Sequence, residues 1–134
     1  RWRLFLSAVR GRQKSFLLPT YRPDLAVYMQ PTGSTMIVEG TYYADYFGTN
    51  AVYKHLLVEF DTGATDFRTV LDAVDNGNGT ETLTLNAAIN TAVLGEIVKL
   101  SFLERVRLSD DTVTWNFDVG GVTTLTFPIT GCLA

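Results

Sequence analysis

The stretch Asn76-Gly77-Asn78-Gly79-Thr80-Glu81-Thr82-Leu83-Thr84-Leu85 decides the fold class of this chain. Its first half is the strongest turn signal in the sequence, because glycine accepts the positive φ that a tight reversal demands and asparagine tolerates it. Its second half sets Leu83 and Leu85 on one side and threonines on the other, the period-two pattern of a strand with one buried face. The same alternation returns in Val113, Trp115 and Phe117.

Working outward, runs of Thr, Val, Tyr and Phe are separated by Gly, Asn and Asp clusters, as strands are by turns. They predict strands over 25–29, 35–39, 52–60, 67–74, 81–85, 97–108, 113–117 and 122–127, with 14–18 strand-like as well. Asp61-Thr62-Gly63-Ala64 reads as a hairpin loop, while Asp110-Asp111 and Gly120-Gly121 read as reversals. Near the N-terminus the period changes. Trp2, Phe5, Ala8 and Val9 fall near one face of a helix, with Gly11 placed to cap it. The expected fold is therefore mainly β, an antiparallel β-sandwich or barrel with one short N-terminal helix. Its expected core includes Phe16, Leu57, Leu83, Phe102, Trp115, Phe117 and Phe127.

At 134 residues and 46% hydrophobic content the chain suits one domain, 1–134, with enough apolar surface for a core without staples. No apolar run nears the roughly 18 residues of a spanning helix, so no membrane association is expected. A lone Cys132 and a lone His55 exclude an internal disulfide framework and a structural zinc site. The chain opens Arg1-Trp2-Arg3 without a methionine, and it is read as a fragment of a longer protein.

The net charge of −3 conceals a division, since six of the eleven cations precede the first acid, Asp24. From Asp24 onward five cations face fourteen anions. A basic end followed by an acidic body suits nucleic acid, an acidic partner or head-to-tail packing of identical copies. Nucleic acid is the least favoured of these, because the helical and strand periods assign Trp2 and Phe16 to a core rather than to base stacking. Arg10, Arg12 and Lys14 are the candidate subunit contacts.

Catalytic chemistry finds little purchase. His55 would need a nucleophile such as Ser101 or Cys132 and an orienting acid, and no spacing suggests their meeting. Asp110-Asp111 serves a turn, Asn76 to Glu81 lacks the ligand spacing of a calcium loop, and Gly11 to Ser15 lacks the glycine spacing of a phosphate-binding loop. No catalytic residue, cofactor or metal is expected. Tyr42-Tyr43-Ala44-Asp45-Tyr46-Phe47 fits a strand, a helical turn or an exposed patch. Exposed aromatics stack on flat surfaces such as sugar rings, which makes Tyr42, Tyr43, Tyr46 and Phe47 candidate contacts for a carbohydrate or receptor.

A family resemblance rests on several stretches together. A short helix precedes Gly11-Arg12-Gln13-Lys14-Ser15-Phe16-Leu17-Leu18-Pro19-Thr20, then Pro23-Asp24-Leu25 enters a β-rich middle that ends in Gly79-Thr80-Glu81-Thr82-Leu83-Thr84-Leu85. Ser101-Phe102-Leu103-Glu104-Arg105-Val106-Arg107-Leu108-Ser109-Asp110-Asp111 follows. This order resembles the minor tail proteins of tailed bacteriophages, virion structural proteins of the tail tip akin to the distal tail group. Leu17 stands where such proteins carry an aromatic pair. The resemblance implies a non-enzymatic structural subunit, made in the host bacterial cytoplasm and assembled into the virion tail as a homo-oligomeric ring that contacts other tail proteins. It also implies a split in which 1–25 and 101–134 frame an inserted β module at 26–100. A carbohydrate- or receptor-binding β module is the alternative function.

Overall fold

A computed structural model describes residues 4, 5, 8, 13–40, 42–47, 53–110, 114–117, 120 and 123–132, with backbone only at 115, 117 and 123. Among these residues the elements run β1 (Phe16–Pro19), β2 (Val27–Thr32), β3 (Thr35–Glu39), α1 (Tyr43–Phe47), β4 (His55–Phe60), β5 (Thr65–Asp75) and β6 (Thr80–Leu85). They continue with α2 (Thr91–Leu94), β7 (Ile97–Leu108), β8 (Thr114–Phe117), β9 (Thr123–Thr126) and β10 (Ile129–Gly131). The protein is mainly β and its strand pairs are antiparallel, as the alternation requires. Of the expected N-terminal helix, Leu4, Phe5 and Ala8 are helical, and Trp2 and Val9 lie outside the described residues. No described helix is long and apolar enough to cross a membrane.

Two short elements escaped the sequence pattern. The four residues of α2 are too few to display a period of 3.6, and the three residues of β10 follow Pro128 with no alternation to detect. Conversely, Leu25 makes only an isolated bridge, and β2 begins at Val27 and carries Pro31 through a region of register shifts. Such irregularity accommodates a residue with no N–H to donate.

The chain divides into two compact units, Arg1–Leu18 with Arg105–Ala134, and Pro19–Glu104. The residue boundaries expected from the resemblance were 25/26 and 100/101. Within Pro19–Glu104 the strands follow the order β7-β4-β5-β6-β3-β2. The two ends of that order then meet. Leu25 bridges Leu100, Asp24 N donates to Leu100 O at 2.9 Å, and the Gln30 side-chain amide clasps Ile97 by donating to its O at 3.1 Å and accepting from its N at 2.9 Å. These contacts draw the two ends of the sheet together into a small barrel whose seam is one isolated bridge and a side-chain clasp, because β2 and β7 share no strand ladder among the described residues.

Strand alternation fills this barrel. Leu56, Val58 and Phe60 of β4, Met36 and Val38 of β3, and Leu83 and Leu85 of β6 belong to one buried apolar cluster with Val70 and Leu100. Leu57, expected in the core, is buried but projects from the opposite side of β4, with His55 and Glu59. The turn at 76–79 works as its sequence suggests. Gly79 has φ +83°, and Gly40 approaches so closely that an added Cβ would lie 2.9 Å from the Gly79 O.

The other unit contains the β8–β9 hairpin and β10, which pairs with the last residues of β7 so that Ile129 faces Leu108. Phe5 meets Phe16 edge to face at 5.1 Å and lies 6.4 Å from Phe127. Phe16 and Phe127 are only half-buried, so they rim this aromatic cluster rather than form an enclosed core. The side chains of Trp115 and Phe117 fall outside the described residues.

Candidate functional site

A groove forms in the Pro19–Glu104 unit where the segment 20–24, the helix α1, Tyr53 and Phe102 converge. Pro19 and Pro23 prevent the segment between them from becoming helical, so its polar groups bond sideways to β7 instead. Thr20 N donates to Phe102 O at 3.0 Å, and the buried Ser101 hydroxyl donates to Arg22 O at 2.7 Å. Asp24 completes the clamp, as its Oδ2 accepts from the Thr20 hydroxyl and, at 2.8 Å, from Phe102 N. The Asp24 carboxylate thereby positions the wall.

Helix α1 sorts its aromatics by spacing. Tyr43 and Phe47, four residues apart, turn inward, with ring centroids 5.6 Å apart. Tyr43 is buried, stacks on Phe102 at 5.7 Å with an 18° interplanar angle, and donates from its hydroxyl to Tyr53 O at 2.7 Å. Phe47 packs against the core beneath Lys54 Nζ, 5.2 Å from its ring centroid. Tyr46 of the helix and Tyr42, which precedes it with a non-helical backbone, face solvent and are 65% and 72% exposed. Tyr53 closes the wall with its ring 4.9 Å from Phe102.

Two adjoining cavities result, of about 460 Å³ and about 340 Å³. Asp24, Tyr53 and Phe102 line both. The larger adds Thr20, Arg22 and Glu104, and the smaller adds Leu25, Tyr42, Tyr43 and Tyr46, so one end is charged and the other aromatic. Burial, with the nearby Glu81 charge adding to it, pushes the Tyr43 hydroxyl well above its ordinary range. Glu81 is itself 2% exposed, shares the inward row of Leu83, and leaves its Oε2 without a hydrogen-bond partner.

The sequence candidates separate accordingly. Tyr42, Tyr43 and Tyr46 share the smaller cavity, and Phe47 does not line it. Lys14 is exposed, while Arg10 and Arg12 lie outside the described residues. His55 Nδ1 sits 3.0 Å from the Thr69 hydroxyl, and the Ser101 hydroxyl is committed to a backbone carbonyl. No cluster of three or more metal-binding side chains occurs among the described residues. Sequence reasoning missed Arg22, Asp24, Tyr53 and Glu104 as groove residues and placed Phe102 wholly in the core. The only usable signal was the Pro19 to Pro23 segment, whose forced extension leaves polar groups to be satisfied elsewhere. Comparison with protein-family models and with curated protein sequences finds no match to this chain.

Proposed function

We propose that this chain is a non-catalytic structural subunit of a bacteriophage tail tip, which packs head to tail with copies of itself and with other tail proteins. The observation that carries the reading is the distribution of charge between the two units. Pro19–Glu104 holds four cations and eleven anions, a net −7, whereas Arg1–Leu18 with Arg105–Ala134 holds seven cations and three anions, a net +4. Opposite charges on two separate bodies of one chain favour contact between unlike surfaces of neighbouring copies, and heterologous contacts of that kind close into rings. The division into a framing unit and an inserted barrel also agrees with the resemblance to tail proteins.

Antibodies against the chain should label one end of the tail of intact virions, and their failure to label any purified virion would overturn the assignment. The electrostatic contact has its own check. Light scattering across a salt series should show the oligomer losing mass as salt rises, because exposed charges are screened over about 8 Å at physiological ionic strength. Replacing Arg10, Arg12 and Lys14 together with Gln should reproduce the high-salt behaviour at low salt. Constant mass in both experiments would exclude charge as the cement of the ring.

A further inference from the structure

We propose that the groove lined by Arg22, Tyr42, Tyr46, Tyr53, Phe102 and Glu104 is a binding site for a neutral oligosaccharide. The proposal is independent of the tail-tip assignment. It sharpens the carbohydrate alternative read from the sequence by replacing Phe47 with residues from three other segments.

Size is the first argument, since both cavities fall within the roughly 300–1,000 Å³ usual for small-ligand sites. Composition is the second. Sugar rings present apolar C–H faces and a rim of hydroxyls, so their sites combine aromatic rings with planar polar groups. Here Tyr42 and Tyr46 expose their rings beside the Tyr53–Phe102 wall, while the Arg22 guanidinium and Glu104 carboxylate stand at the other end. Neither Arg22 nor Glu104 forms an ion pair among the described residues, which leaves a fork of donors and a pair of acceptors for adjacent hydroxyls. Backbone strain is the third. Tyr21 and Tyr42 are the non-glycine residues with left-handed φ among those described, at +57° and +61°. Tyr42 lines the groove, and Tyr21 sits between two residues that do. A bulky side chain in that region costs free energy, and such strain collects where a side chain is held for contact.

Competing ligands fit less well. The net −7 of this unit repels phosphate-rich polymers. A peptide adding as a strand would pair along a sheet edge, whereas the groove is walled by side chains of the segment 20–24, α1, Tyr53 and β7 rather than by an open strand edge.

The test is titration calorimetry of the 134-residue chain with cellohexaose, mannohexaose and chitohexaose, preceded by a glycan array of neutral and acidic sugars. Binding of a neutral glycan is expected, weakened about tenfold by Tyr46→Ala, as for loss of one stacking ring, and comparably by Arg22→Gln and by Glu104→Gln. Phe67→Ala, an exposed aromatic on β5 that lines neither cavity, should bind like wild type. Melting curves matching wild type will show that the variants fold, and the near-isosteric Glu104→Gln keeps the test valid should Tyr46→Ala melt early. The proposal is overturned by no glycan binding tighter than about 1 mM, by affinity unchanged in all three groove variants, or by selection of a peptide or an acidic glycan in place of a neutral one. Virion labelling is indifferent to each of these results, so the two readings fail separately.

Discussion

Inside the barrel Leu56, Leu83 and Leu100 expose none of their surface, whereas in the groove Tyr42 and Tyr46 leave most of theirs in solvent. Both sets are large apolar side chains held by the same small unit. The interior set removes area from water at roughly 25 cal/mol per Å², so its free energy goes into folding. The groove set removes little, and Tyr42 adds a strained φ. The interior residues hold the fold and the groove residues are held by it, so each set can be broken without the other.

The largest effect should come from the interior. Leu83→Ala, at a site with no solvent exposure, should destabilise by about 2–5 kcal/mol in chemical denaturation, with the spread set by how far the cavity collapses. Glycan affinity of the remaining folded protein should not change. A loss below about 1 kcal/mol would mean that the barrel interior is not tightly packed.

Tyr43 sits between the two sets, with its ring on Phe102 and its hydroxyl on the Tyr53 carbonyl. Tyr43→Phe keeps the ring and removes one hydrogen bond, at a cost of about 1 kcal/mol. Its pH behaviour has a definite sign. The unfolded chain ionises Tyr43 from about pH 10, while the buried hydroxyl stays protonated in the folded state. The unfolded state then binds fewer protons than the folded one, so the stability present below pH 10 is lost as the pH climbs toward the raised folded value. Denaturation measured between pH 8 and about 11 should show this decline in wild type and a shallower one in Tyr43→Phe. Parallel declines would place the hydroxyl in contact with water.

The smallest effect belongs to the groove. Tyr42→Gly relieves the left-handed φ at a side chain that is 72% exposed, and it should change stability by no more than about 1 kcal/mol, in the direction of greater stability. The same substitution should weaken glycan binding. A clear loss of stability would move Tyr42 from the groove set into the structural one.

How far each set could be read from the chain follows from the range of the forces that make it. Period-two alternation is a local property of the backbone, so Leu83, Leu85 and their threonines announced a half-buried strand, and Gly77 and Gly79 announced the turn before it. Strand existence and antiparallel class were legible for that reason. Spacing on α1 could also have sorted Tyr43 and Phe47 from Tyr46, but only if five residues had been enough to declare a helix. Barrel closure was not legible, because it depends on Gln30 meeting Ile97 and Leu25 meeting Leu100 across about half of the chain. The groove depends on the same closure. Asp24 reaches Phe102, and Arg22 comes to share a cavity wall with Tyr53 and Glu104, only after segments with no common period are brought together. Sequence alone therefore determined which residues alternate, where the chain turns and how charge is distributed along it. Tertiary structure decided which apolar side chains are enclosed and which are displayed, because enclosure is a property of the neighbours that long-range pairing supplies.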